Sequence, residues 1–201
     1  TIVYAAAMQA YNLLLVWAET AMDRQVAGFT MPVTWLLAFD GAGTILGIAI
    51  MLWVWRWLAA RGAEPDALGK IAVAGALVAA SWALLALATT WLPLVPLLLV
   101  IAFFIVLDLS YGWLEAPANG FAAATAPPRL VTTMISINIM AFGVANIISG
   151  WLGRFYEPLG PAGFWWLNGA IGAGGAVLAL LLRPVVRRLL MPLAPGALAT
   201  A

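Results

Sequence analysis

Two carboxylic acids interrupt one of the most apolar stretches of this 201-residue chain. In FFIVLDLSYGWLEAPANGF, residues 103–121, Asp108 and Glu115 are two helical turns apart and therefore share one face of a helix. A carboxylate inside a bilayer costs about 2.5–3.5 kcal/mol, so it usually faces a cavity or a partner. Acids in such a position can bind a solute or carry a proton.

The two acids differ in their expected depth. Counted from Pro96, Asp108 lies roughly 18 Å along its helix, near the middle of a membrane, and Glu115 roughly 28 Å, near one interface. Glu115 can reach the lipid headgroups from there. Asp108 cannot, so it either serves a solute or proton site or makes a hydrogen bond that fixes a helix contact. A protonated acid is cheaper to bury than a carboxylate, which is also what a proton relay requires.

Further polar residues lie within the apolar stretches. Asp40 lies about 12 Å inside Pro32, beside glycines that could loosen its helix. For the uncharged amides, hydrogen bonding between helices is the alternative to a site role. The candidates for a substrate or proton site are Asp108, Asp40, Gln9, Glu115 and Asn12.

Small residues at helical spacing predict close contacts between helices. In lipid there is little hydrophobic force between helices, and small side chains let two backbones approach. The segment GAIGAGG, residues 169–175, is an almost side-chain-free strip of this kind. The candidates for helix packing are Gly43, Gly47, Asn146, Gly150, Gly169 and Gly172.

The composition indicates an all-α polytopic membrane protein. Hydrophobic residues make up 65% of the chain and charged residues 8%, whereas soluble chains average about 25% charged residues. The nine basic residues are scattered, which argues against nucleic acid as a partner. The chain contains neither cysteine nor histidine, and no nucleophile–base pair can be assembled. We therefore expect no enzyme activity, no metal and no cofactor.

Apolar runs of about 20 residues predict the crossing helices. Residues 71–107 carry no charge and would form a helix of roughly 56 Å, too long for one crossing, so we expect a break at Pro93 and Pro96. Six transmembrane helices are predicted, over residues 2–20, 32–57, 70–90, 93–121, 130–153 and 163–182. They form a domain spanning residues 1–188, followed by a disordered tail at 189–201.

The basic residues predict the orientation. Six crossings place both ends on one side, and seven of the nine basic residues then lie on that side: Arg56, Arg61, Lys70, Arg129, Arg183, Arg187 and Arg188. The positive-inside rule puts this side in the cytoplasm, in a bacterial inner membrane. The positions of the tryptophans support this orientation, because tryptophan favours the membrane interface. Those at the predicted outer helix ends are Trp17, Trp35, Trp91, Trp151, Trp165 and Trp166.

The start of the chain is also informative. Thr1 leads directly into an apolar helix without a basic region before it, so this start does not resemble a signal peptide. We interpret it as a cut, which means that the sequence is a fragment or that an upstream portion is missing.

Several motifs occur in order along the chain. They are AMDRQVAGFTMPVTWLLAFD at 21–40, GK at 69–70, APPRL at 126–130 and ANIISG at 145–150. In this order they resemble the C-terminal half of the proton-dependent oligopeptide transporter family, a branch of the major facilitator superfamily. The resemblance covers residues 2 to about 182. It implies half of a major-facilitator-type bundle, whose first helix here corresponds to helix seven of the family.

The sequence departs from the family pattern at its functional positions. The family's tenth-helix glutamate lies five residues before the motif proline, where this chain has Gly112 before Pro117. The Asn-Pro of the eighth helix is replaced by Asp40-Gly41, and the Glu-Gln of the seventh appears as Met8-Gln9. The family's E-x-x-E-R motif belongs to the N-terminal half. A carboxylate gained one turn before Gly112, at Asp108, is consistent with a shifted site.

Two functional hypotheses follow. The first is transport of a small peptide-like solute with protons, with the first, second and fourth predicted helices lining a cavity and a separate N-terminal six-helix half completing the transporter. The second is a transport-inactive accessory subunit of a larger respiratory or photosynthetic membrane complex. The lipid bilayer is a partner in both hypotheses.

Overall fold

The computed structural model describes residues 1–26 and 28–190 and is mainly helical. Its seven α-helices are α1 (Ile2–Ala7), α2 (Leu13–Ala21), α3 (Leu36–Ala59), α4 (Ala67–Trp91), α5 (Leu97–Thr125), α6 (Val131–Leu152) and α7 (Tyr156–Leu190). Of the tail predicted at 189–201, the first two residues continue α7, and the rest lies outside the described residues.

The first predicted helix is divided in two. A 3₁₀ turn, Met8–Tyr11, follows α1, and Asn12 then leaves the helical conformation with φ −104° and ψ −88°. Asparagine side chains compete with the backbone for hydrogen bonds, which favours a break at such a position. Short 3₁₀ segments within a helix often mark functional hinges.

Small strand pairs hold two of the connections. Strand β1 (Met22–Asp23) pairs in parallel with β4 (Val95–Pro96), which joins the end of α2 to the start of α5. Strands β2 (Gln25–Val26) and β3 (Phe29–Thr30) form an antiparallel pair. Between them Gly28 has a φ of 83°, a conformation that glycine adopts without strain.

An aromatic core forms where α4 packs against both α5 and α7. The ring of Trp82 stacks on that of Trp165 at 5.0 Å and contacts Phe103 at 4.8 Å. Its Nε1 donates a hydrogen bond of 3.1 Å to the carbonyl of Ala6 in α1. Large rings with a satisfied polar atom are well suited to join several helices.

Two of the predicted interfacial tryptophans belong to this core. Trp17 and Trp165 are 0% exposed and pack edge to face at 5.9 Å, so their rings contact protein on all sides, whereas their depth in the membrane stays a prediction. The Trp165 ring stacks on Trp82 of α4, and the Trp17 ring packs against Trp165, so neighbouring side chains form the environment of both rings. The other four, Trp35, Trp91, Trp151 and Trp166, are exposed.

Within the described part of the chain, four segments are long and apolar enough to cross a membrane: Val33–Ala59, Ala67–Trp91, Leu97–Thr125 and Val131–Leu189. The last contains 59 residues, which would make a helix of roughly 89 Å and cannot be one crossing of a ~30 Å core. It is interrupted by the 3₁₀ helix Gly153–Phe155 and by Gly160, whose φ is 67°. The number of six crossings stays a prediction.

An ionic cluster ties the connection between α3 and α4 to the end of α7. Asp66 caps α4 by accepting a hydrogen bond of 2.9 Å from the backbone N–H of Gly69. Its Oδ2 also accepts bonds of 2.9 and 2.8 Å from the guanidinium groups of Arg183 and Arg187. The Asp66 carboxylate thus connects the α3–α4 loop, the start of α4 and the end of α7.

Candidate functional site

Asp108 lies at a close contact between α3 and α5 and is 1% exposed. A Cβ atom on Gly43 would collide with its Oδ2, and one on Gly47 would lie 3.3 Å from its carbonyl carbon. The two glycines therefore allow α5 to approach α3 at this point. The Thr44 hydroxyl donates a hydrogen bond of 3.3 Å to Asp108 Oδ1, whereas the buried Oδ2 has no hydrogen-bond partner.

Asp40 lies next to Asp108 on the facing helix and is 9% exposed. The Tyr11 hydroxyl lies 3.1 Å from both Oδ1 and Oδ2 of Asp40, to which it donates. Asp108 touches Gly43 and Thr44, which lie one helical turn after Asp40, so the two acids are neighbours across the α3–α5 contact. The structure thus brings together two of the five predicted site residues, from α3 and α5, and adds Tyr11 from the 3₁₀ turn. We call Asp40 and Asp108 the acid pair.

Sequence reasoning missed three hydroxyl-bearing residues around the acid pair: Tyr11, Thr44 and Tyr111. Thr44 follows Asp40 by four residues and Tyr111 follows Asp108 by three, so each shares a helix face with an acid. This spacing was the signal in the sequence that could have identified Thr44 and Tyr111. Tyr11 comes from a different segment and lines the same cavity as Tyr111. Its approach depends on the break at Asn12, which the sequence pattern did not reveal.

An open groove lies in front of the acid pair. It consists of two adjoining cavities of about 430 and 350 Å³ that share Thr44, Tyr111 and Glu115 among their lining residues. We call it the α3–α5 groove. Tyr11 lines its larger part, so the hydroxyls of Tyr11 and Thr44 connect the groove to the acid pair behind it. Glu115 is exposed and faces the groove itself.

The two amide candidates make a separate contact with α6. Gln9, which is fully buried, donates a hydrogen bond of 2.6 Å to the Ser149 carbonyl. Asn12 donates one of 2.9 Å to the Ser149 hydroxyl. Both bonds fasten the broken first helix to α6 and do not join the acid pair. They stabilise the turn that carries Tyr11.

The remaining packing candidates fall into two groups. A Cβ on Gly169 or Gly172 would lie 3.4 or 3.0 Å from backbone atoms of Ala79, so α7 lies close against α4 at both positions. By contrast, no described atom lies within 4 Å of a Cβ built on Gly150. Asn146 is exposed, donates to the Phe142 carbonyl of its own helix at 3.0 Å and lines the α3–α5 groove.

Comparison with known proteins decides the family. A sequence model of the POT family matches residues 1–157. The chain belongs to the POT family. This confirms the resemblance to the C-terminal half of the proton-dependent oligopeptide transporters, and it identifies an integral membrane protein with apolar helices.

A curated relative supports this assignment. The chain is 27% identical over 183 residues to the peptide transporter YePEPT of Yersinia enterocolitica subsp. palearctica serotype O:3 (strain YE-P4). The match covers 85% of the chain and 35% of the relative, so this POT-family chain spans about a third of the relative's length.

Solved structures of POT transporters share the fold. The peptide transporter POT in complex with sulfate superimposes with a TM-score of 0.83 at 19% identity, covering 94% of this chain and 38% of that one. A POT family transporter in complex with a thioalcohol conjugated peptide gives a TM-score of 0.80 at 17% identity, covering 92% and 39%. The similarity confirms the expected helical transporter fold.

The position of the family's tenth-helix glutamate is closed in this POT-family chain. A Cβ on Gly112 would collide with Sδ of Met51 on α3. A glutamate there would require Met51 to move, whereas an acid one turn earlier fits against Gly43 and Gly47. In this structure Met51 occupies the space beside Gly112, and the acid one turn earlier packs against Gly43 and Gly47.

Proposed function

We propose that this chain forms one half of a proton-coupled transporter for small peptides, with the α3–α5 groove as part of the central cavity. The observation that carries the proposal is a buried carboxylic acid, Asp108, directly behind an open groove in a POT-type fold. Intramembrane acids in such positions typically mark substrate or proton pathways. The name of the relative YePEPT suggests peptides as the solute class.

The lining of the groove suits a peptide. The exposed carboxylate of Glu115 can attract the ammonium group of a peptide, and charge-assisted hydrogen bonds of this kind are the strong ones. The side chains of Asn119 and Asn146 lie along the same groove and can bond to peptide amide groups. In this proposal Gln9 and Asn12 contribute indirectly, because they hold the turn that carries Tyr11.

A second half is needed to enclose the substrate. Transporters of this superfamily place the substrate between two six-helix halves, and the groove is open on one side. We propose that an N-terminal six-helix half covers the groove. The chain would cross the bacterial inner membrane six times with both termini in the cytoplasm, as the distribution of basic residues supports. No feature of the described residues favours an accessory subunit instead.

Uptake by the intact protein in liposomes tests this function. With an inward proton gradient, labelled dialanine should accumulate, and a proton ionophore should abolish the accumulation. Glu115→Gln should lower uptake at limiting dialanine by about tenfold or more, because a charged hydrogen bond contributes roughly 1.5–3 kcal/mol.

Glu157→Gln is the matched control, because Glu157 is exposed on the first turn of α7 and does not line the groove. It should transport as the unmodified protein does. Absence of gradient-driven accumulation by the unmodified protein would refute the proposed function.

A further inference from the structure

Asp108 packs against Gly43 and accepts a hydrogen bond from Thr44, one helical turn beyond Asp40 on α3, and both acids are at least nine-tenths buried. We propose that the two carboxyl groups hold one shared proton and act as a single proton site, which Tyr11 connects to the α3–α5 groove. The use of this proton in transport rests on the proposed function, but its presence between the two acids does not.

The surroundings of the pair favour one retained proton. Two carboxylates in contact repel each other, and burial adds the cost of removing both charges from water. Asp108 Oδ2 is buried and accepts no hydrogen bond, which is a costly position for a charged oxygen. As a protonated hydroxyl, the same oxygen can donate toward the Asp40 carboxylate. Dyads of this kind titrate as a unit.

No basic side chain offsets the negative charge among the described neighbours. The polar side chains beside the pair are Tyr11 of the 3₁₀ turn, which donates to Asp40, and Thr44 of α3, which donates to Asp108. Tyr111 shares the helix face of Asp108 on α5. Helix α6 carries no charged residue, and the one charged residue of α4, Lys70, pairs with Glu64 at 2.7 Å. Glu115 lies two turns along α5 in the groove. A proton is therefore the cation best placed to neutralise the pair.

Hydroxyl groups give this proton a route. The Tyr11 hydroxyl lines the groove and donates to Asp40, so it lies between groove water and the acid pair. Loading takes one proton from water on one side and changes the charge of the pair from minus two to minus one. Release to water on the other side restores the original charge, and only O–H bonds form and break.

The helix contact links this proton to a conformational change. Asp108 is packed directly against Gly43 and Gly47, so repulsion within a doubly ionised pair acts on the α3–α5 contact itself. Loss of the proton should therefore favour separation of the two helices, and its return should favour their approach. A proton-coupled transporter requires an interaction of this kind, whose free energy differs between two conformations.

Infrared difference spectroscopy of the intact protein in liposomes, acidic against alkaline pH, tests the shared proton without any transport. A protonated carboxyl band should disappear in Asp108→Asn and change frequency in Asp40→Asn, because the hydrogen-bond acceptor changes from carboxylate to amide. Thr44→Val, which removes only the donor to Oδ1, should also shift the band. Glu115→Gln is the control and should leave it in place. A band unaffected by Asp40→Asn, or surviving Asp108→Asn, would overturn the proposal.

Transport supplies the second readout. Asp40→Asn and Asp108→Asn should lose gradient-driven accumulation of dialanine but keep the exchange of labelled for unlabelled dialanine. If both variants still accumulate dialanine, the acid pair is not the coupling site, although the proposed function stands. If the unmodified protein does not transport dialanine, the proposed function fails, and the infrared bands still decide whether the proton is shared.

Discussion

The carboxyl group of Asp108 fills the space that a side chain at Gly43 would need. The relationship is specific, because a single added methyl group would meet Oδ2 of the buried acid. It explains why an acid on α5 and a glycine on α3 belong to one structural unit. The contact also places Asp108 beside Asp40. Asp40 lies on α3, one turn before Gly43 and Thr44.

A methyl group at position 43 should therefore disturb the acid pair. We expect Gly43→Ala to destabilise the protein by about 1–3 kcal/mol, the usual range for overpacking. The thermal unfolding of the purified intact protein, followed by tryptophan fluorescence, measures this loss. Gly41→Ala is the control, because no described atom outside its own stretch of helix lies within 4 Å of a Cβ built there. Equal unfolding temperatures for the two variants would contradict the contact.

The contact between α4 and α7 should be equally sensitive. A Cβ on Gly75 would lie 2.8 Å from the Ala176 nitrogen and 2.9 Å from the Gly172 carbonyl oxygen. Because both are backbone atoms, they can yield only if the helices separate. Gly75→Ala should lower the unfolding temperature by an amount that corresponds to about 1–3 kcal/mol. Gly174→Ala, in open space on α7, should leave it nearly unchanged.

Trp82 should be a central residue of the aromatic core. Trp82→Phe removes the hydrogen bond to Ala6 and part of the stacking on Trp165, so we expect a loss of about 1–3 kcal/mol. The reference variant is Trp91→Phe, since Trp91 is 79% exposed. Chemical denaturation of both proteins under the same detergent conditions provides the comparison, and a smaller loss at position 82 would argue against this core.

Acid should weaken the cluster around Asp66. Burial opposes ionisation of Asp66, but hydrogen bonds from Arg183 and Gly69, together with the charges of Arg183 and Arg187, outweigh it and lower its pKa. Because this pKa is lower in the folded protein than in the unfolded chain, the stabilisation is present above the ordinary aspartate pKa. It is lost as the pH falls through the folded value.

Asp66→Asn should remove this part of the acid dependence while keeping a good N-cap residue on α4. The unfolding temperature, measured from neutral pH down to about pH 3, should fall less steeply in the variant than in the unmodified protein. Asp23→Asn removes an exposed carboxylate that accepts a hydrogen bond only from Gln25 among the described residues. That variant should follow the unmodified protein, and parallel curves for all three proteins would refute the role of Asp66.

Much of the fold could be predicted from local properties of the chain. Long apolar segments free of charge require helices in lipid, and the prolines at positions 93 and 96 do separate α4 from α5. The ordered motifs identified the family, which the family match confirms. The positions of Asp108 and Gly43 within their helices were also readable, because helical periodicity fixes the face on which each residue lies.

Other features depended on contacts between distant segments. The break at Asn12 coincides with hydrogen bonds to Ser149, which lies 137 residues further along the chain. Trp17 and Trp165 follow the pattern of interfacial residues in sequence, yet their rings meet in the core. Depth along a helix can be counted from the sequence, but the side of the helix that meets a neighbour cannot.

The sequence by itself determined that lipid surrounds this protein, that the fold is helical, which family it belongs to and that acids occur within apolar segments. Each of these follows from composition, periodicity or motif order within short segments. Only the tertiary structure decided that Asp108 packs beside Asp40 across the α3–α5 contact, that Tyr11 donates to Asp40 and that Glu115 stays apart in the groove. The physical reason is that these relationships depend on how closely and at what rotation α3 and α5 pack, which the glycines permit but do not specify.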